Sequence, residues 1–217
     1  MTRAHGVRVR QHVNPLKASF LRRAERLPFP PEVEVEVELG CAEAQFLFER
    51  AALAPERRYV GIEIREDLVG LVNAQAQQRG VPVLAVYANA NVQLADLFAP
   101  GSVARLYVNF PDPWFKRRHH KRRVMDAALA RVIAEILRPG GELLFQSDVW
   151  DLALDALAVL EDEPRLVNQT GEWSFWKGPH PYGVRSRRED ACAADGSPVW
   201  RMLYRVSEAR ARSTPAP

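Results

Sequence analysis

Glu32-Val33-Glu34-Val35-Glu36-Val37-Glu38-Leu39, running straight into Gly40-Cys41-Ala42-Glu43-Ala44, is the stretch from which the fold is read. Strict alternation of acidic and apolar residues is the period of a β-strand and, taken alone, of one with a face in water. The residues after Leu39 argue for a different setting. The small-residue turn leads at once into a helical pattern carrying Phe46, Leu47, Phe48, Ala51 and Leu53. Strand, tight turn and helix open the nucleotide-type binding unit of α/β proteins, in which the turn lets backbone approach a ligand closely.

Outward from this unit the alternation of strands and helices continues. Residues 58–64 read as a second strand, 66–79 as a helix ending at Gly80, and 83–87 as a third strand with Asn89 just past its end. Residues 103–108 form an apolar run broken by Arg105. A helix over 124–137 places Met125, Leu129, Val132 or Ile133, and Ile136 on one face. Pro139-Gly140-Gly141, a strand over 142–146 closed by Ser147-Asp148, and a helix over 149–161 come next. Late strands are expected over 165–167 and 199–204, separated by a polar, aromatic-rich connection. The succession predicts an α/β fold with a mostly parallel sheet and right-handed crossovers. Glu63 then falls at a strand end about 20 residues beyond the turn, where a carboxylate accepts both hydroxyl hydrogen bonds of a ribose diol. A close-approach loop at Gly40, an acceptor at Glu63 and a polar group at Asn89 suit a nucleoside-bearing ligand, S-adenosylmethionine or a dinucleotide.

The second informative stretch is Asn109-Phe110-Pro111-Asp112-Pro113-Trp114, which follows the fourth strand. Two prolines fix φ on either side of Asp112 and hold its carboxylate in a stiff loop at the carboxyl end of the sheet, where ligands bind in open α/β folds. Behind it, residues 116–123 hold six Lys or Arg and two His. Residues 1–24 add six more Lys or Arg and no acid. In a chain whose net charge is only +3, such clustering points to a polyanion, of which RNA or DNA is the usual one. Lys116, Arg118, His119, Arg122 and Arg123 are the candidate phosphate contacts, and Trp114 is a candidate stacking surface.

The 217 residues, 47% hydrophobic and 26% charged, suit one α/β domain over 32–206, with a basic arm over 1–31 and a disordered tail over 207–217. Cys41 and Cys192 are too few for a disulfide framework and lack metal-ligand spacing, so neither a disulfide nor a metal is expected. No apolar run approaches a membrane span, and a soluble cytoplasmic protein, monomer or homodimer, is expected.

Several blocks then resemble a known family in order and spacing: Glu38-Leu39-Gly40-Cys41, Gly61-Ile62-Glu63, Asn109-Phe110-Pro111-Asp112-Pro113-Trp114, Arg118-His119-His120-Lys121-Arg122-Arg123, Arg138-Pro139-Gly140-Gly141 and Ser147-Asp148. These are similar to the bacterial tRNA (guanine-N7)-methyltransferases. The resemblance implies a Rossmann-like class I methyltransferase fold and an S-adenosylmethionine-dependent enzyme acting on guanine 46 in the variable loop of tRNA. It further implies that Glu38, Glu63 and Asn89 contact the cofactor. Asp112 would be the catalytic acid, Lys116 and Asp148 would bind substrate, and Ser186 and Glu189 would match the family's Thr-x-x-Glu. Ala42 and Ala44 stand where that family has glycine, a departure that keeps open an RNA-binding protein of the same fold with weakened cofactor binding. A small-molecule methyltransferase is a further alternative, against which the basic run and arm both argue.

Overall fold

A computed structural model describes residues 23–114 and 123–207. Within them, β1 (Val35–Leu39) is followed by α1 (Gln45–Leu53), β2 (Arg58–Glu63), α2 (Glu66–Arg79), β3 (Val83–Tyr87), α3 (Ala90–Leu97) and β4 (Val103–Asn109). The second half runs α4 (Ala127–Ile136), β5 (Leu137–Ser147), α5 (Trp150–Glu161), β6 (Leu166–Asn168), α6 (Arg187–Asp195) and β7 (Trp200–Val206). The strands lie in the order β3-β2-β1-β4-β5-β7-β6, with β7 antiparallel to both neighbours and the other pairings parallel. The chain thus leaves β1 toward one edge and returns at β4 to build the other. That reversal of strand order is the switch point at which α/β sheets open a crevice beyond their carboxyl ends.

Each face of the sheet is covered by helices. Val35, Val37 and Leu39 of β1 join a core with residues of α3, α4 and α5, including Leu94, Leu129, Ile133 and Leu157. Phe46, Leu47, Val72, Ala76 and Tyr107 form the core on the other face, under α1 and α2. Glu36 and Glu38 point to this second face, and both are buried. The acidic-apolar alternation of β1 therefore marks two covered faces rather than one wet face, because the acids are met by an internal polar network.

Three expectations are corrected. Residues 24–29, placed in the basic arm by the sequence, lie against the body. The Leu27 amide donates to the Leu97 carbonyl at 3.0 Å, and Ala24, Leu27 and Phe29 pack on the core, as apolar side chains with a surface available will. Pro139-Gly140-Gly141 does not precede β5 but lies within it. The β4–β5 register shifts between Val103 and Arg105 to absorb the turn as a bulge. Finally, the connection over 168–197 contains α6, whose Ser186 Oγ accepts from the Glu189 amide at 3.3 Å. Its sequence signal is a Ser-x-x-Glu start, the pattern of a helix capping box.

Candidate active site

The carboxyl ends of β1, β2 and β4 open into a cleft of about 570 Å³, the size range of small-molecule sites. Its floor begins with the turn after β1. The Gly40 amide donates to the Ile62 carbonyl at 2.8 Å with Gly40 at φ 72°. Ala42 and Ala44 hold φ 51° and 54°, left-handed values that cost an L-residue about 1–2 kcal/mol each. The alanines therefore follow the path glycine would take. Gly61 is required by packing: a Cβ there would stand 2.3 Å from Cys41 Sγ.

Three predicted cofactor residues meet at this floor, each differently engaged. Glu38 Oε1 accepts from Asn109 Nδ2 at 2.8 Å, whereas its buried Oε2 has no hydrogen-bond donor among the described residues. Burial, with Glu63 nearby, raises the Glu38 carboxyl to about 8 despite the Asn109 bond. Glu63 is saturated. Its Oε1 accepts from the Arg65 amide at 3.0 Å and Nε at 2.9 Å; its Oε2 accepts from the Ala42 amide at 2.9 Å and Arg65 Nη2 at 2.8 Å. A carboxylate has about four acceptor positions, so all are used. Asn89 Oδ1 caps α3 through the Asn91 amide at 3.0 Å.

The Asn109–Trp114 loop forms the opposite wall, with Asp112 exposed at its tip. Phe110 and Trp114 take φ 48° and 46°, and bulky side chains in that region cost about 1–3 kcal/mol each, a strain typical of functional loops. Arg123 braces the loop from below. It was expected to face phosphate, but it is buried: Nε donates to the Pro113 carbonyl at 3.0 Å and Nη1 pairs with Asp155.

The third wall is the start of α6. Arg187 Nε donates to Gln45 Oε1 at 2.9 Å, and Arg188 Nε donates to Asp148 Oδ2 at 3.0 Å, so the helix start spans from the first turn to the end of β5. Ser186 lines the cleft while its hydroxyl caps the helix. Glu189, expected to meet substrate, is turned inward. Its Oε1 accepts from Arg201 Nη2 at 2.6 Å and its Oε2 from Gln146 Nε2 at 3.2 Å, because a buried carboxylate is held where donors await it. Lys116, Arg118, His119 and Arg122 lie outside the described residues.

Residues 32–202 match a family model described as "Putative methyltransferase". A tRNA (guanine-N(7)-)-methyltransferase of Synechococcus sp. strain JA-3-3Ab is 35% identical over 209 residues, covering 90% of this chain and 84% of its own. The protein of that name from Microcystis aeruginosa is 36% identical, covering 92% of this chain and 98% of its own. The chain belongs to the tRNA (guanine-N7)-methyltransferase family. Among solved structures, precorrin-6y C5,15-methyltransferase from Geobacter metallireducens superposes with a TM-score of 0.52 at 19% identity, over 86% of this chain and 84% of its own. A geranyl diphosphate methyltransferase in complex with GPP and sinefungin gives 0.52 at 16%, over 83% and 74%. At such identities these bear on the fold alone, a Rossmann-like class I methyltransferase fold.

In this tRNA (guanine-N7)-methyltransferase family member, three residues at or behind the cleft were missed from the sequence. Arg65 follows Glu63 by two positions, and its guanidinium covers that carboxylate. Gln146 and Arg201 lie behind Asn109 on neighbouring strands, buried. An arginine inside the apolar run Trp200-Arg201-Met202-Leu203-Tyr204 was the available signal, since a charge in a central strand needs a buried partner. Among the described residues no helix is long and apolar enough to cross a membrane, and no cluster of His, Cys, Asp and Glu is arranged to hold a metal.

Proposed function

We propose that this chain transfers the methyl group of S-adenosylmethionine to N7 of guanine 46 in the variable loop of tRNA. The observation that carries the cofactor half is Glu38, which lines a cleft of nucleoside size and whose buried Oε2 has no donor among the described residues. A carboxylate so placed suits a cationic amine, and S-adenosylmethionine has one. When bound, that cofactor supplies an electrophilic sulfonium methyl. The relatives' names and the basic run support tRNA as the partner, and the position follows the family resemblance.

Glu38 accepts from the amine end, Glu63 from the ribose diol, and Asn89 lies toward the base. For Glu63 this requires the Arg65 guanidinium to leave, since the two backbone donors from Ala42 and Arg65 can stay while its two side-chain bonds cannot. Arg65 lies within electrostatic reach of Asp112 across the cleft. The left-handed Ala42 and Ala44 leave the cleft open, which disfavours the reading of a protein without cofactor.

Guanine N7 has an in-plane lone pair and no proton, so attack on a methyl group needs no base at that atom. Catalysis is then positioning and charge management. Asp112, held between two prolines at the cleft mouth, favours the charge that develops on the base and accepts from N1–H or the exocyclic amine. Lys116, Arg118, His119 and Arg122 supply phosphate contacts, Ser186 lines the substrate side with Asp148 behind it on Arg188, and Trp114 offers a stacking face.

Incubation with labelled S-adenosylmethionine and bulk tRNA, followed by mapping of the modified nucleoside, tests the reading: label in N7-methylguanosine at position 46 is expected. In Asp112→Asn, single-turnover transfer should fall about a hundredfold, about 3 kcal/mol in the barrier, with cofactor affinity unchanged. Rates within about threefold of wild type would make Asp112 a turn residue, since removing a stabilising charge costs more than that.

A further inference from the structure

Behind the cleft, three strands carry polar side chains at one level, and Glu38 on a fourth lies diagonal to them, in register with Tyr107. Asn109 of β4 pairs in register with Gln146 of β5, and Gln146 with Arg201 of β7, so the three side chains stand side by side on one face. Arg201 Nε donates to Gln146 Oε1 at 2.9 Å. Gln146 Nε2 donates to Asn109 Oδ1 at 2.9 Å, and Asn109 Nδ2 donates to Glu38 Oε1 at 2.8 Å. Arg201, Gln146 and Glu38 are buried, which leaves water little part in setting these directions.

We propose that Arg201 sets the hydrogen-bonding polarity of the cofactor-facing carboxylate Glu38 through a relay of two carboxamides, Gln146 and Asn109, making Arg201 and Gln146 positioning residues for cofactor binding. The logic is one of donors and acceptors. A guanidinium only donates, so Gln146 must turn its oxygen toward Arg201 and its amide nitrogen toward Asn109. Asn109 must then offer its own oxygen to Gln146, and its nitrogen is left facing Glu38. Glu38 is thereby presented with a donor, which favours the ionised carboxylate that accepts from a cationic amine. Reversing either amide would face Glu38 with an oxygen and require it to carry a proton. Glu189 steadies the far end, accepting from both Arg201 Nη2 and Gln146 Nε2, so the cation that fixes the polarity is itself held in place.

Among the described residues, the other titratable groups facing Glu38 are Glu63 from β2 and Cys41 from the turn behind β1. Burial pushes the Cys41 thiol well above its ordinary value, so it stays protonated between pH 7 and 9 and does not enter the test.

The relay rests on the reading of Glu38 as a cofactor ligand. Its test is S-adenosylmethionine binding to Gln146→Met, which keeps the volume of the side chain and breaks the relay, measured at pH 7 and pH 9 beside a thermal melt. At pH 7 affinity should fall about tenfold, the scale of one hydrogen bond to a charged group. The loss should narrow at pH 9, because Glu38 with an unfixed partner holds its proton to higher pH. An equal loss at both pH values would reduce Gln146 to packing, and no loss would remove the relay altogether; either overturns the proposal. Gln146→Glu provides a second arm if Gln146→Met does not fold. It still accepts from Arg201 but has no donor for Asn109, so it should invert the amide and lose more affinity at pH 7 than Gln146→Met. Wild-type affinity there overturns the relay. Wild-type affinity in Glu38→Gln would instead show that Glu38 is no cofactor ligand, a failure of the underlying reading distinguishable from the relay's own.

Discussion

Glu36 and Glu38 sit two residues apart on one strand, face the same side and are both buried, yet their surroundings are opposite. Glu36 is met by Arg50 Nη2 at 2.9 Å, Arg105 Nη1 at 3.0 Å, Tyr107 Oη at 2.7 Å and Arg57. Burial alone would raise its carboxyl, but the hydrogen bonds from Arg50, Tyr107 and Arg57 prevail and hold it at about 2. Glu38 has one neutral donor and an oxygen without a donor among the described residues, and is raised to about 8. The difference separates two uses of a buried acid. One is satisfied within the protein and serves the fold; the other is left short of donors at the cleft and serves a ligand.

The largest expected effect breaks the first half of this comparison. Glu36→Gln strips the charge that balances three arginines, and urea denaturation should show a loss of about 3–5 kcal/mol, as for other buried pairs that lose one partner. Next comes Glu38→Gln. Cofactor affinity should fall about a hundredfold, equivalent to about 2.7 kcal/mol, while stability holds or rises because a poorly compensated buried carboxylate is removed. Loss of stability there, with affinity kept, would make the two glutamates alike.

Titration sharpens the contrast, since the two acids act in separate pH windows. Glu36, depressed when folded, contributes stability above its ordinary value of 4.5 that is lost as pH falls toward 2. Glu38, raised when folded, contributes stability below 4.5 that is lost as pH climbs toward 8. The stability advantage of Glu38→Gln over wild type should therefore grow from pH 5 to 8, by up to about 1.4 kcal/mol per pH unit. Differences between variant and wild type cancel other titrations, such as that of His180, held at about 3 by burial and by Arg201.

The smallest effect concerns backbone. Ala42 and Ala44, in the turn beside Glu38, hold left-handed φ, and Ala42→Gly and Ala44→Gly should each raise stability by about 1 kcal/mol in thermal or urea melts. Destabilisation would mean that the methyl groups contribute packing worth more than the strain.

The part of the molecule legible from sequence was the part written in periodicity. The strand ending at Leu39, the small-residue turn and Glu63 at the next strand end all follow from local pattern, as does the stiff loop around Asp112. What escaped was non-local. The destination of the β1 glutamates depends on Arg50, Arg105 and Tyr107, up to 71 residues away. Glu189 and Arg123 read as substrate-facing groups until the fold supplied Arg201, Gln146 and Asp155 as partners. The helix α6 was hidden because Arg187-Arg188-Glu189-Asp190-Ala191-Cys192 has little apolar content, leaving the Ser186-x-x-Glu189 start as its one cue.

The Glu36 cluster also bears on the order of assembly. Its partners lie 14, 21, 69 and 71 residues along the chain, so the carboxylate cannot leave water with full compensation until α1, the turn before β2 and the fourth strand have all docked. A β1–β2 pair formed alone would enclose a charge still short of its donors, and such contacts with long loops to close come late and slowly. A half-built sheet is thus penalised at its centre, and the β1–β2 pair is not secure until the fourth strand has joined it.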